Sequence, residues 1–450
     1  MKLNNLLLIF ILIATVNATA QQFEYDGKYY RGEIKKKYDI PENGLLSMKN
    51  INGDVKIVGE TRNNILVTER YRISAYSDAS AQSIFNDSHT KYIFKGKTLI
   101  IEGASGSRRY QSNFLIQIPA KFNLDVQASG GDLVTETVSG QINLRTSGGD
   151  IDVVDLNGKI DIYTSGGDLT IRQCRKDLNA TTSGGDISIN KFSGQLQAKT
   201  SGGDINIENL DGNGEIKTSG GDIYLTKIKG DRFNATTSGG DIGADYIDTQ
   251  LELSTSGGDI NIGQARANAW LHTSGGDIQI DEVSGNLEAN TSGGDISVKY
   301  VKGAAVLHTS GGDIEIERAL NNVKATTSGG DIILSYVTGS VYARTSGGDI
   351  ELEKHLEKTN KDNSIDLASS GGDIAIAIPD NMPADIYAKI TIYNKWDNNQ
   401  IRSDFPIAIT REVKDTKVVI TGQGRINGGG DAINLETSSG DIIIHKLMQQ

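Results

Sequence analysis

The six residues Thr-Ser-Gly-Gly-Asp-Ile, complete at Thr146 to Ile151, return about every eighteen residues until Thr345 to Ile350. Counted by its aspartate, the motif stands at Asp132, Asp150, Asp168, Asp186, Asp204, Asp222, Asp241, Asp259, Asp277, Asp295, Asp313, Asp331 and Asp349. Every step is 18 except one of 19 between Asp222 and Asp241. A fixed short period with strict identity at a few positions means one supersecondary unit stacked on copies of itself. Length therefore gives no domain count here, because each coil buries only its neighbours.

Alternation within the repeat identifies the unit. In the coil that begins at Thr146 the apolar positions are Ile151, Val153, Leu156, Ile160 and Ile162, and then Thr164 of the next motif. The coil from Thr273 places Ile278, Ile280, Val283, Leu287 and Ala289 in the same slots. Period two is the mark of strands, so each coil holds two short ones. Ser-Gly-Gly turns one corner. Gly158, Gly194, Gly212, Gly230, Gly285, Gly303 and Gly339 turn the second, where Lys176, Thr249, Ala267 and Asn321 substitute. Glycine is expected there for positive φ or for close approach of stacked turns.

The motif threonine shares parity with the apolar residues, which predicts an inward methyl and a hydroxyl bonded along the stack. At about 4.8 Å per coil, thirteen coils make a rod of roughly 60 Å. Ala180, Ala198, Ala235, Ala289 and Ala325 keep its section narrow. The fold class expected is all-β, a β-solenoid (β-helix) with two short strands per 18-residue coil and β-rich caps at both ends.

Four segments follow from this reading. Residues 1–20 form a secretory signal peptide, with Lys2, an apolar run from Leu6 to Ile13 and Ala18-Thr19-Ala20 before Gln21; the run is too short to span a bilayer. Residues 21–126 are an amino-terminal β-rich cap in which Asn52-Gly53-Asp54-Val55 is a degenerate forerunner of the motif and Ala79 to Phe85 a short helix. Such a cap is needed because an open stack exposes unpaired backbone groups. Residues 127–353 are the regular array. Residues 354–450 carry a polar insertion (Lys354 to Asn363), the last coils and a cap, returning to the motif at Gly428 to Asp431 and Ser439 to Ile444.

The combination of Asn52-Gly53-Asp54-Val55, Ile118-Pro119-Ala120 ahead of Leu124-Asp125-Val126 and Ser129-Gly130-Gly131-Asp132, and the ending Gly428 to Ile442, resembles a bacterial adhesin-like family of Gly-Asp-repeat β-solenoids, a family of domains of unknown function. The resemblance covers nearly the whole mature chain. It implies a β-solenoid architecture and an adhesin-like role, and it carries over no ligand and no catalytic residue.

The aspartate column is the sharpest chemical feature. Residues 129–350 hold 30 acidic and 17 basic side chains, a net of −13 against −12 for the whole chain. Carboxylates about 4.8 Å apart repel by about 0.9 kcal/mol at the dielectric of water and by about 3.5 kcal/mol at an effective 20. The row must be solvated, hydrogen-bonded to turn amides, partly protonated or bridged by cations. Backbone amides are the expected partner. The competing candidate is a calcium ladder on Asp150, Asp168, Asp186, Asp204, Asp222, Asp241, Asp259, Asp277, Asp295, Asp313, Asp331 and Asp349, although the spacing lacks the Gly-Gly-x-Gly-x-Asp of calcium-binding β-rolls.

Other columns point to less. His272 and His308 share a repeat slot but stand two coils, about 10 Å, apart, too far to hold one ion. Trp270, Tyr163, Tyr300, Tyr336 and Tyr342 are scattered, as solvent-facing strand residues are. An inward threonine column does not suit an ice-binding face. Cys174, the sole cysteine, stands in the slot of Leu156, Phe192, Leu210 and Ile228 and reads as a small buried hydrophobe.

No phosphate loop, nucleophile elbow or zinc-helix motif is present, and the acidic balance argues against nucleic acid. The function expected is a non-catalytic, exported, adhesin-like or structural solenoid that meets an unknown protein or glycan, in the periplasm, on the outer surface or secreted. It needs no cofactor and has no membrane span after signal removal. The alternatives are a calcium-stabilised extracellular rod and a polysaccharide-active β-helix enzyme, for which an acid or base pair would have to break the pattern at one coil.

Overall fold

The computed structural model describes residues 23–358, 360–393, 398–414 and 416–447; the expected signal peptide lies outside them. The chain is a β-solenoid, and among the described residues the regular structure is all β but for one helix, Asp78–Ser88. Ser77 caps that helix, accepting the Ser80 amide at 3.2 Å. Among the described residues no helix is long and apolar enough to cross a membrane.

Successive coils lie in parallel register at an offset of 18. Leu133 pairs with Ile151, Ile151 with Leu169, Leu169 with Ile187, and the column continues through Ile205, Ile223, Ile242, Ile260 and Ile278. The inward slots read from the sequence are all buried: Ile151, Val153, Leu156, Ile160, Ile162 and Thr164, and likewise Ile278, Ile280, Val283, Leu287 and Ala289. Each aliphatic side chain removed from water contributes about 1.5–3 kcal/mol, and one apolar column serves every coil.

The two strands of a coil are separate in most of the array, as in Ile151–Val154 and Asn157–Tyr163. In the middle they fuse through the corner into single strands, Ile187–Lys199, Ile205–Lys217, Ile223–Thr236 and Ile242–Ser254. The corner there uses a device the sequence did not reveal. Thr137, Asp155, Gln173, Lys191, Asn209, Lys227 and Tyr246 hold a left-handed column with φ between 55° and 59°. Such a conformation is costly for non-glycine side chains and persists where the surroundings enforce it. The column stops at Tyr246, so the later coils turn this corner differently.

The single 19-residue step also has a physical use. Asp211 pairs with Lys229, but Gly214 pairs with Phe233, so the extra residue bulges between Lys229 and Phe233. In the inward column Leu196 is followed by Gly214 and then by Phe233. A Cβ on Gly214 would lie 2.3 Å from the buried Phe233 ring. The missing side chain of one coil is thus filled by the large side chain of the next.

Both ends depart from chain order. The strands Leu45–Ile51 and Val55–Glu60 form the coil that stacks on Asn123–Ala128 and Leu133–Glu136. Thr98–Glu102 and Tyr110–Pro119, later in sequence, stack outside it. The antiparallel strands Ile65–Ile73 and Tyr30–Tyr38 then extend one face and Lys91–Lys95 the other, ending the parallel template. At the carboxyl end Asp431–Thr437 and Ile442–Leu447 stack on Ile365–Ala368 and Ile374–Pro379. Ala384–Ile392, Val418–Ile426 and Ala408–Val413 lie beyond them. The last coil in sequence is therefore enclosed, and the cap over it comes from residues that precede it.

Replacing Gly214 with Leu, the residue in the adjacent coil, is expected to destabilise by about 1–3 kcal/mol through overpacking against Phe233. Phe233→Leu alone should also destabilise by leaving a void, while the double variant should recover most of the loss. Chemical denaturation of the four proteins measures this; additive losses would show that the two side chains do not share one space.

Candidate functional site

The threonine, second glycine and aspartate of the repeated motif each have a structural task, and the tasks begin with unpaired backbone donors. A tight turn leaves N–H groups that no strand partner reaches, and such groups must be satisfied. The amide of Asp150 donates to Oδ1 of Asp132 at 2.9 Å, that of Asp168 to Asp150 and that of Asp186 to Asp168, both at 2.8 Å. The chain of bonds runs on through Asp204, Asp222, Asp241, Asp259 and Asp277. It continues through Asp295, Asp313, Asp331 and Asp349 to Asp373 and Asp441.

At the amino end the ladder starts on Asp54, which receives the Asp132 amide and donates its own to Asn113 Oδ1. At the other end Asp441 Oδ1 receives the amide of Gln400, which stands in for a further aspartate.

The threonines run a second ladder. Thr164 Oγ1 donates to the carbonyl of Gly149 at 2.9 Å and accepts the Gly167 amide at 3.3 Å. Thr182, Thr200, Thr218 and the later motif threonines repeat the donated bond, and Ser369 and Thr437 close it. The second glycine of each motif is required by proximity: a Cβ on Gly185 would lie 2.0 Å from the Gly167 carbonyl oxygen.

The aspartates proposed as a calcium ladder are therefore aligned, each with one oxygen committed to a neighbouring amide. That leaves one carboxylate oxygen per coil, whereas calcium takes six to eight oxygen ligands. Among the described residues no three His, Cys, Asp or Glu side chains converge as a metal site. His272 and His308 are separated by Asn290 in register, and His308 Nδ1 lies 2.9 Å from Thr326 Oγ1. Cys174 is buried in the Leu156 and Phe192 slot, and burial pushes its thiol up to about 11.

Two buried ionisable groups were not legible in the sequence. Glu69, fully buried in the amino-terminal cap, accepts hydroxyl bonds from Thr90 (2.6 Å), Tyr92 (2.5 Å), Tyr110 (3.0 Å) and Ser112 (2.5 Å). Burial, reinforced by the Glu69 charge, pushes both tyrosine hydroxyls well above their ordinary range. The four donors tie two strands and the segment after the helix to one carboxylate on a third strand.

Lys354, read as the first residue of an exposed polar insertion, is instead fully buried at the end of the strand Ile350–Lys354. Its Nζ donates at 2.6 Å to the carbonyls of Thr338 and Gly339, closing the corner where the period breaks. Burial lowers its pKa to about 8, with Asp362 and Asp431 opposing the shift.

The outward positions differ from coil to coil. Trp270 is 40% exposed between Glu252 and Glu288 of the adjacent coils. Tyr163, Tyr224, Tyr246 and Tyr342 are likewise exposed, while Tyr336 stacks on His355 at 3.9 Å.

The model of the Toastrack DUF4097 family matches residues 84–215, 213–321 and 272–445. The chain belongs to this family. No curated protein compared with this Toastrack chain matches it. Among solved structures, a putative adhesin from Bacteroides fragilis NCTC 9343 is 12% identical over 63% of this chain and 97% of that one, with a TM-score of 0.26. A putative cell adhesion protein from Clostridium sporogenes ATCC 15579 is 10% identical over 93% and 100%, TM-score 0.15. A putative lipid binding protein from Parabacteroides distasonis ATCC 8503 is 11% identical over 75% and 96%, TM-score 0.19.

Two outcomes follow from the site. Asp241→Ala strands the Asp259 amide and should cost about 1–3 kcal/mol. Asp241→Asn keeps an acceptor while removing like-charge repulsion, so it should be near neutral or stabilising; equal losses in thermal unfolding would contradict the ladder. For Lys354, between about pH 8 and 10.5 the unfolded chain retains a proton that the folded chain has released. Wild type should therefore gain stability relative to Lys354→Met as pH rises through that window, by about 3 kcal/mol in total. A pH-independent difference would contradict the burial of the charge.

Proposed function

We propose that the protein is an exported, non-catalytic solenoid that presents a repetitive surface for protein or glycan contact, in an adhesin-like or structural role. The observation that carries this reading is the commitment of the motif carboxylates to backbone amides. Acid side chains that look like a catalytic or metal array are spent on holding the turns, while the charged, amide and exposed aromatic side chains vary along the outward columns. A rigid rod with variable outward rows suits weak contacts repeated along its length, whose joint strength exceeds that of any one of them.

Fractionation of the native host with surface protease treatment, followed by binding of the purified mature chain to protein and glycan arrays, tests the reading. The expected result is protein outside the cytoplasm and binding without turnover. New reducing ends or unsaturated products from a polysaccharide panel would overturn the non-catalytic role. Calorimetry should give no heat with calcium and no change of melting temperature on chelation; a calcium-dependent rise of several degrees would favour the calcium-stabilised rod instead.

A further inference from the structure

A regular solenoid shows the same relief on every coil, so a hollow of specific shape has to come from a departure from the pattern. The outward strand positions two and four residues after the motif aspartate carry side chains throughout the array, as in Asp152, Thr170, Arg172 and Asn190, except at Gly243 and Gly263. Neither glycine has a positive φ, so the backbone does not require glycine at either place. Glycine inside a strand weakens it and commonly marks close approach of a ligand or another backbone. The nearest atoms to a Cβ built on either glycine are side-chain atoms, the Tyr224 ring at 3.2 Å for Gly243 and the Asp245 carboxylate at 2.3 Å for Gly263. Each glycine lets a side chain of the preceding coil lie flat on the sheet, the Tyr224 ring over Gly243 and the Asp245 carboxylate over Gly263.

Beside these side chains lies a hollow of about 360 Å³ lined by Tyr224, Asp245, Asn261 and Gln279 as well as both glycines. The volume falls within the range of small-molecule sites. It coincides with the change of corner: Tyr246 is the last residue of the left-handed column, and between the coils of Asp241 and Asp259 the ladder pairing skips Asp245 and Tyr246 while the register holds. Tyr224, Gly243, Asn261 and Gln279 follow one another in register across four coils. The Tyr224 ring is 47% exposed. The amides of Asn261 and Gln279 make no hydrogen bond within the described protein, and Asp245 uses Oδ1 for the Tyr246 amide at 3.0 Å.

We propose that this hollow binds a neutral oligosaccharide, an inference that rests on the contact-surface role above and narrows it. An exposed aromatic face receives the C–H side of a sugar ring, and two amides with a carboxylate supply donors and acceptors to adjacent hydroxyls. Asp245 and the acidic array disfavour an anionic sugar. A cation is not held between Asp245 and Asp281, which stand two coils, about 10 Å, apart, and Asp281 is paired with Lys299 at 2.7 Å.

The experiment uses the full mature chain with neutral and acidic oligosaccharides on an array, followed by titration calorimetry of the bound neutral sugars. Gly243→Thr and Gly263→Thr use a good strand former to displace the Tyr224 ring and the Asp245 carboxylate and so narrow the hollow. Each is expected to melt at or above the wild-type temperature and to bind at least tenfold more weakly. Tyr224→Ala should lose affinity to a similar degree. Binding of a neutral glycan that all three variants retain would overturn the site while leaving the contact-surface role intact. Binding confined to acidic sugars, or to proteins alone, would overturn the ligand class. Lower melting temperatures for both glycine variants would assign the glycines a structural role and overturn the proposal.

Discussion

The structure depends on one constraint: a turn stacked every 4.8 Å or so on an identical turn must find partners for its own amides without help from a strand. The aspartate carboxylate of the preceding coil is that partner, and the threonine hydroxyl does the same for the second glycine. Because the carboxylate-to-amide bond and the bond that the threonine donates to the preceding coil's glycine carbonyl join one coil to the next, the identity of the motif is enforced coil by coil. The like-charge repulsion along the column is the cost, and it is offset by an amide dipole at every carboxylate and by solvent along the exposed rim.

Much of this was visible in the sequence for a simple reason. Each strand alternates with period two and the repeat returns every slot, so the inward slots of one coil, Ile151, Val153, Leu156, Ile160 and Ile162, carried over to the other coils. The aspartate ladder was legible only as a problem of charge, with amides, water and cations as competing solutions; the geometry selects the amides. The left-handed column escaped because Thr137, Gln173, Lys191 and Tyr246 carry no signature of that conformation. Lys354 escaped because a charged residue beside a polar run reads as solvent-facing. Its buried ammonium is made tolerable by two carbonyls that the broken period leaves exposed, and those belong to the preceding coil.

The ends show how a template of unlimited extent is stopped. At each end strands from elsewhere in the chain lie outside a coil, and antiparallel pairing then replaces the parallel register. Asn113 and Gln400 terminate the aspartate ladder with neutral groups, so neither end offers a further coil the carboxylate-to-amide bond in its repeated form. Sequence order could not give this, since the coil at Val55–Glu60 and its neighbour at Leu133–Glu136 are separated by the strands of the cap. Regularity also confines specificity. With core and rim fixed, recognition can be encoded only in outward residues, and most strongly where the corner changes beside Gly243 and Gly263.

Residue-resolved amide hydrogen exchange on the mature chain tests the central claim most directly. The turn amides of Asp222, Asp241 and Asp259, although on an exposed rim, are expected to be protected to the same degree as the adjacent strand amides of Ile223, Ile242 and Ile260. Exchange of those aspartate amides at the rate of open turns, with the isoleucines still protected, would contradict the account.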